Sequence, residues 1–396
     1  MISFIGLGKL GLTCAETFAE HYTVTGYDIV TRTSEKVKVC DTVQETIEGA
    51  RFIFIAVQTP HDSQYDGSNP TTSLPVKNFK YDYVIEALQA IKPYVKSDQI
   101  VCLISTCLPG TVRNVLLPHI EGMRFIYNPY LIAMGTIRWD MIKPEMVIMG
   151  GEDEAAMDSL EQIYKTVARS PRIVRGTWEE AESIKIFYNT FITAKLTLVN
   201  MIQDVAEKLG HMNVDVVTHA LAHSNMRIMS PKYMIAGMGD GGPCHPRDNI
   251  ALSWLANKLD MNYDLFSGIM QAREGQAKNM AIKLHSYRLP IVILGKTYKP
   301  KVPYTEGSPS MLVGYYVEKL GREVYYYDQY FEKPPKNILE NPAVYLIAHS
   351  SYATYNVQDD NDFDHSIIAP GSIVVDPWRK CPDIPGVKVI HYGNTR

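Results

Sequence analysis

Residues 239–249 read GDGGPCHPRDN and set a single thiol, Cys244, behind Gly239, Gly241 and Gly242 and just ahead of a helical pattern. Pro246 suits the first turn of a helix, and PRDNIALSWLANKL continues at helical spacing. A thiol at a helix N-terminus meets the positive end of the backbone dipoles, which favours thiolate and therefore nucleophilicity. The glycines would clear its approach. Asp248, four residues on, would lie one turn down the same face, as a proton acceptor or a holder of water. Against this stands the ordinary role of a lone cysteine as inert filling. A second pair, Lys185 and Asn189, is also four apart, among Ile184, Phe187, Tyr188 and Phe191. Pointing together, the two would stabilise an oxyanion as charge develops on it. In the plainer alternative, Lys185 snorkels and Asn189 faces water.

Such side chains need elements to hold them. MISFIGLGKLG is a short apolar strand running into Gly6, Gly8 and Gly11, with Lys9 and Leu10 opening a helical pattern, and the next strand, YTVTGYD, ends in Asp28. In a dinucleotide site the first glycine makes the turn, the second admits the pyrophosphate and the third lets helix and strand pack closely. The phosphates sit at the helix N-terminus, and an acid about 20 residues on takes the ribose hydroxyls. Asp28 favours NAD over NADP by repelling a ribose phosphate; Arg32, close by, pulls the other way. Strands at RFIFIAVQTP and QIVCLISTCLPGT end near Thr59 and Thr106, and in an open parallel sheet both threonines would face the cofactor crevice. Each hydroxyl could equally satisfy its own loop. The polar loop over residues 61–82 is either a lid or surface decoration. Thr177 and Glu180 form a capping box for a helix that runs to Leu209 and stops at Gly210, a rod of roughly 45 Å. That length suits a bridge between domains and a dimer contact, or else a long core helix.

The 396 residues predict two or three domains, and 46% hydrophobic with 21% charged residues is ordinary globular composition. A formal net charge of −4 argues against a nucleic-acid partner. No apolar run approaches a membrane span, and the N-terminus lacks the basic start of a signal peptide. Cys14, Cys40, Cys102, Cys107, Cys244 and Cys381 are scattered without a CxxC pair, which predicts a reducing, cytoplasmic setting. The histidines show no metal-ligand spacing, so no metal is expected. PIVILGKTYKP, EVYYYDQYF, AVYLIAHSS, SIVVDPW and VKVIHYG predict a second α/β sheet. There Asp328 occupies a place like that of Asp28 without a glycine fingerprint, and a structural role is expected of it.

Taken in order, GLGKLG, VQTP, STCLPGT, NPYLIAMG, AESIKIFYNTFITAK, DGGPCHPRD, LGKTYKP and EGSPS resemble the UDP-glucose/GDP-mannose dehydrogenase family over nearly the whole chain. The Lys-and-Asn helix is shared with related hydroxyacid dehydrogenases; the cysteine block distinguishes this family. The resemblance implies an α/β protein of three domains: an N-terminal Rossmann NAD domain over 1–176, a central helical and dimerisation domain with the long helix over 177–285, and a C-terminal Rossmann-like domain for the nucleotide over 286–396. It implies NAD as cofactor, a homodimer, and oxidation of a nucleotide sugar, UDP-glucose or a related UDP-hexose, at its C6 alcohol to the uronic acid. Cys244 would trap the aldehyde as a thiohemiacetal and carry the thioester. Lys185 and Asn189 would stabilise the oxyanion, Asp248 and Thr106 would handle water or protons, and Arg227 would reach the sugar from a neighbouring subunit. Tyr233 and Gly241 would line the sugar pocket and Lys299 would contact the substrate.

The chain departs from the pattern in three places. The family's Asn-Pro-Glu is Asn128-Pro129-Tyr130, which puts a phenol in the pocket where a carboxylate would act as base; the next segment is LIAMG; and Glu306 stands where an arginine is expected. A phenol of ordinary pKa, about 10, is a poor base near neutrality. Oxidation that stops at the aldehyde, acyl transfer to another nucleophile, and a non-catalytic sugar-nucleotide-binding protein therefore stand as alternatives.

Overall fold

The computed structural model describes residues 1–396 except 61, 62, 66–68, 134, 240–243, 299–301, 329, 330, 354–362 and 396. It divides into two compact units, Met1–Leu196 and Thr197–Arg396. In the first, strands and helices alternate: β1 Ile2–Ile5, α1 Lys9–Ala19, β2 Val24–Tyr27, β3 Lys38–Val39, α2 Val43–Ile47, β4 Phe52–Ile55, α3 Asp82–Ile91 and β5 Ile100–Leu103. There follow α4 Leu117–Ile120, β6 Arg124–Tyr127, α5 Ile137–Ile142, β7 Val147–Gly151, α6 Glu154–Val167, β8 Ile173–Gly176 and α7 Trp178–Leu209. The sheet order is β3-β2-β1-β4-β5-β6-β7-β8, parallel except between β6 and β7. Every residue of β1, β4 and β5 is buried, which explains why these strands read as unbroken apolar runs. Phe4, Phe18 and Phe54 pack on one face of the sheet, and Ile5, Ile53 and Ile55 on the other.

β4 and β5 stop at Ile55 and Leu103, short of the expected ends near Thr59 and Thr106. The ladder runs out once the Ile104 amide has donated to the Ile55 carbonyl, and beyond it the chain pairs loop to loop. The capping box forms: the Thr177 amide donates to Glu180 Oε2 at 2.9 Å and the Glu180 amide to Thr177 Oγ1 at 3.3 Å. Gly150 lets β7 approach this helix start, since a Cβ there would lie 2.6 Å from that of Ala181. Gly210, at φ +75°, ends the helix.

The second unit takes the end of α7, then α8 Val214–Ala222, α9 Cys244–Lys258, α10 Leu265–His285, β9 Ile291–Leu294, α11 Pro309–Lys319 and β10 Val324–Tyr327. It closes with α12 Lys336–Leu339, β11 Val344–Ile347, β12 Ile373–Asp376 and β13 Lys388–His391. Its sheet, β10-β9-β11-β12-β13, is parallel throughout. Core clusters line both faces. The helices ahead of that sheet are leaner: Met201, Ala256 and Phe266 form a small cluster, and α8 buries no residue. Among the described residues, no helix is long and apolar enough to cross a membrane.

Candidate active site

In the first unit, the turn after β1 builds a cleft of about 400 Å³ lined by Gly6, Gly8, Asp28, Arg32, Tyr83 and Glu86, among others. Gly6 stands at φ +94°, where a Cβ would also lie 2.8 Å from the Ala56 carbonyl, and a Cβ on Gly11 would lie 2.0 Å from the Gly6 carbonyl, so helix and turn touch only because Gly11 is bare. Gly8 caps α1 without a side-chain bond, and a Cβ there would meet nothing within 4 Å. The start of α1, opened by Lys9 and Leu10, therefore lies beside the cleft that Gly6 and Gly8 line, as an anion site requires. Asp28 sits across the cleft, accepting from the amides of Leu7 at 2.7 Å and Val30 at 2.8 Å, with Arg32 Nε 3.9 Å away. A carboxylate has about four acceptor positions, so two remain for ribose hydroxyls. The residues fit NAD: bare helix amides for the pyrophosphate and an acid for the ribose.

Thr59 Oγ1 donates to the Thr106 carbonyl at 3.0 Å, tying together the loops after β4 and β5. Lys185 is largely buried; its Nζ donates to the Tyr130 carbonyl at 2.7 Å, and burial pushes its pKa down. Asn189, one turn on, is exposed. Between the capping box and Lys185 lies a residue that the sequence motifs do not single out. Glu182 is fully buried, and its carboxylate accepts the amides of Gly110 at 2.6 Å and Val112 at 2.8 Å. A signal was present, since an acid between Ala181 and Ile184 on the apolar side of a helix requires partners.

The Tyr130 hydroxyl lies 2.8 Å from that of Tyr164, which donates to Asn128 Oδ1. With Tyr164's proton so spent, Tyr130 is left to donate to Tyr164. Burial, then the nearby Tyr164, hold its pKa well above the ordinary phenol value. It is neither a base nor a free donor; what it offers is its carbonyl, to Lys185.

In the second unit, Cys244 is exposed as the first residue of α9, whereas Cys14, Cys40, Cys102, Cys107 and Cys381 are all buried. Asp248 is exposed and paired with Arg247, whose Nε and Nη2 donate to Oδ1 at 3.0 and 2.9 Å. Arg227 is exposed in the turn after α8, and Tyr233, at φ +64°, is 73% exposed. Gly241 and Lys299 lie outside the described residues, as does part of the 61–82 loop. The chain leading to Cys244 is held from far along the sequence. Arg379 donates to the Ala236 carbonyl at 2.7 Å and to that of Tyr392 at 3.2 Å, and the Trp378 ring lies where a Cβ on Gly237 would be. Residues 235–239, α10 and α11 enclose a groove of about 620 Å³ that includes Arg273, Gln276 and Asn279. Asp328 is buried and structural, accepting the amides of Lys296 and Thr297 at 2.6 and 3.0 Å. Among the described residues no group of three or more His, Cys, Asp or Glu side chains is placed to hold a metal ion.

Residues 29–168 match the UDP-glucose/GDP-mannose dehydrogenase family's NAD binding domain and residues 179–274 its central domain, together more than half of the chain. A UDP-glucose 6-dehydrogenase of Bacillus subtilis is 25% identical over 308 residues, 75% of this chain and 66% of that protein. A GDP-mannose 6-dehydrogenase of Pseudomonas putida is 31% identical over 216 residues, 52% of this chain and 48% of that one. The chain thus spans about two thirds of the first relative and half of the second. In fold it is similar to a GDP-mannose dehydrogenase of Pseudomonas aeruginosa crystallised as a ternary complex, with a TM-score of 0.80 at 21% identity, covering 98% of this chain and 99% of the other. With its NAD cleft, its helical centre and its second parallel sheet, the chain belongs to the UDP-glucose/GDP-mannose dehydrogenase family.

Proposed function

We propose that the protein is an NAD-dependent nucleotide-sugar 6-dehydrogenase acting through Cys244. The observation that carries this reading is the exposure of that one thiol at a helix N-terminus while the other five are buried. NAD supplies the hydride acceptor. Lys185, with Asn189 one turn on, stabilises negative charge on the sugar oxygen as the C6 alcohol loses its proton and hydride. Burial has already lowered the affinity of Lys185 for its proton, which suits a group that shares it with an oxyanion. Cys244 adds as thiolate to the aldehyde carbon, giving a thiohemiacetal. Loss of the thiohemiacetal's hydroxyl proton and of a second hydride, to a second NAD, would give a thioester, and water would then release the acid and the thiol. Thr106 and Asp248 would manage water and protons; Arg227, Tyr233, Gly241 and Lys299 would hold the sugar nucleotide. The groove beside residues 235–239 has a size suited to the nucleotide part of the substrate. UDP-glucose is the first substrate to test.

A homodimer fits the same reading. Phe187, Phe191 and Leu196 on α7 are each more than half exposed, as are Met226, Ile228 and Trp254 around α8 and α9. Exposed apolar side chains of this size in each unit are suited to cover by a second copy.

One observation favours a second outcome, transfer of the acyl group to a nucleophile other than water: the Tyr130 hydroxyl is engaged with that of Tyr164 and does not activate water for thioester hydrolysis. Incubation with NAD and a panel of UDP- and GDP-hexoses, counting NADH per sugar consumed with the product mass, decides among these. Two NADH and an acid are expected; two NADH and an acyl product other than the acid establish the second outcome; one NADH and an aldehyde overturn the covalent route, and no NADH with any sugar overturns the enzyme. Cys244→Ser is expected to lose acid formation while still binding NAD.

A further inference from the structure

We propose that Glu182 is the positioning residue of this site: its buried carboxylate clamps the loop that carries Thr106 to the helix that carries Lys185 and Asn189. The inference rests on the proposed roles of those three residues. Glu182 and Lys185 are three apart on α7, within one turn of each other. The loop that follows Thr106 is held almost wholly by side chains. The Cys107 amide donates to the Tyr127 hydroxyl at 3.1 Å, the Leu108 amide to the Tyr81 hydroxyl at 3.2 Å, and the amides of Gly110 and Val112 to the two oxygens of Glu182. Gly110 stands at φ +88°, a conformation that favours glycine. Val112 opens the π-helical turn Val112–Leu116 that leads into α4, so the carboxylate occupies a helix N-terminus, where the first amides lack partners of their own.

Of the three side chains holding the loop, two are phenols whose pKa values burial raises, so near neutrality only Glu182 changes charge. Burial pushes it up to about 7; the two amides and Arg113 oppose that, and Glu179 adds to it. The groups that face it are Tyr81 ahead of α3, Cys107 in the loop, Tyr127 on β6, Arg113 in the π-helical turn and Glu179 on its own helix. As an anion it accepts both amides. Once protonated, one oxygen becomes a donor facing another donor, and one of the two bonds is lost.

The test is Glu182→Gln, which resembles the protonated form at every pH, beside Glu182→Asp, which keeps the charge. In the wild-type protein kcat for NADH formation is expected to fall as pH drops through about 7. Glu182→Gln should lower kcat roughly tenfold and abolish that acid limb, leaving the NAD dissociation constant within about twofold because Asp28 and α1 are untouched. Glu182→Asp should retain the limb. Hydrogen exchange reads the clamp without turnover: the amides of residues 107–112 should exchange at least about tenfold faster in Glu182→Gln, and faster in the wild type at pH 6 than at pH 8 after correction for intrinsic rates. Unchanged exchange in both comparisons overturns the clamp, even if no sugar is turned over and the functional reading has failed. A Glu182→Gln enzyme with wild-type kcat and an intact acid limb overturns its part in positioning. Should that variant not fold, the wild-type exchange profile and Glu182→Asp decide alone.

Discussion

The two sheets contain the same turn put to different uses. After β1 and after β9 the chain bends through a glycine at positive φ, Gly6 at +94° and Gly295 at +101°, and the next amides donate to an aspartate at the end of the adjacent strand. The registers correspond, with Ile5 beside Tyr27 and Leu294 beside Tyr327. The two chains part company just beyond the turn. In the first sheet, α1 begins two residues after Leu7 and presents its bare amides to a cleft. In the second, α11 waits until Pro309, Thr297 Oγ1 adds a third donor to Asp328, and the His349 ring lies where a Cβ on Gly295 would be. A strand-turn-aspartate frame is therefore a structural unit in its own right. It becomes a nucleotide site only where a helix starts at once and nothing fills the space in front of it.

The largest separation of the two turns should come from their glycines. Gly295→Ala sets a side chain at φ +101° and into His349, and is expected to destabilise the protein by about 3 kcal/mol while NAD affinity stays unchanged. Gly11→Ala pushes α1 from the Gly6 carbonyl and should weaken NAD binding by roughly thirtyfold or more, the equivalent of ~2 kcal/mol. Thermal unfolding and calorimetric NAD titration check the pair; equal effects of both on NAD would erase the distinction between the turns. Next come the aspartates. Asp28→Asn should weaken NAD about tenfold with little change in stability, whereas Asp328→Asn, burying an amide against three donors, should destabilise by about 2 kcal/mol and leave NAD alone.

The filled turn should also respond to pH. Burial lowers the pKa of His349, whose Nε2 lies 2.6 Å from the Thr297 carbonyl. A base depressed in the folded state stabilises above its unfolded value of 6.5, and that stability is lost as pH falls through the folded value, because the unfolded chain takes up the proton first. Melting temperatures of the wild type should therefore fall more between pH 7.5 and 5.5 than those of His349→Gln; parallel curves would contradict this. The sign for Glu182 is opposite. For unfolding of the whole chain, an acid whose pKa burial raises to about 7 contributes most at low pH and loses that contribution as pH rises from 4.5; the two amide bonds, which lower the pKa, act in the other direction and govern the clamp alone. The smallest effect is expected of Tyr130→Phe, which removes one enclosed hydroxyl: about 1 kcal/mol of stability, with kcat within about twofold. A large loss of kcat at normal stability would return Tyr130 to the chemistry.

Much of the fold was legible in one dimension because the causes are local. GLGKLG announces its turn through residues that bear no Cβ, Thr177 and Glu180 cap a helix three residues apart, and Pro246 marks the start of α9 for Cys244. Glu182 was not legible as a clamp because its partners, Gly110 and Val112, lie some seventy positions earlier. Nor was Tyr130 legible as the partner of Tyr164, which stands 34 positions later on α6. Arg379 is further still, 143 positions from the Ala236 carbonyl it holds.

The amino-acid order alone determined which segments become strands, helices and tight turns and which residue types stand near their tips, because backbone sterics and hydrogen bonding within a few residues decide these. Only the tertiary structure decided which of two similar turns stays open, which phenol is shut away and which carboxylate is pressed against a loop. Burial and donor pairing across long separations depend on what packs opposite, and no stretch of chain carries that information by itself.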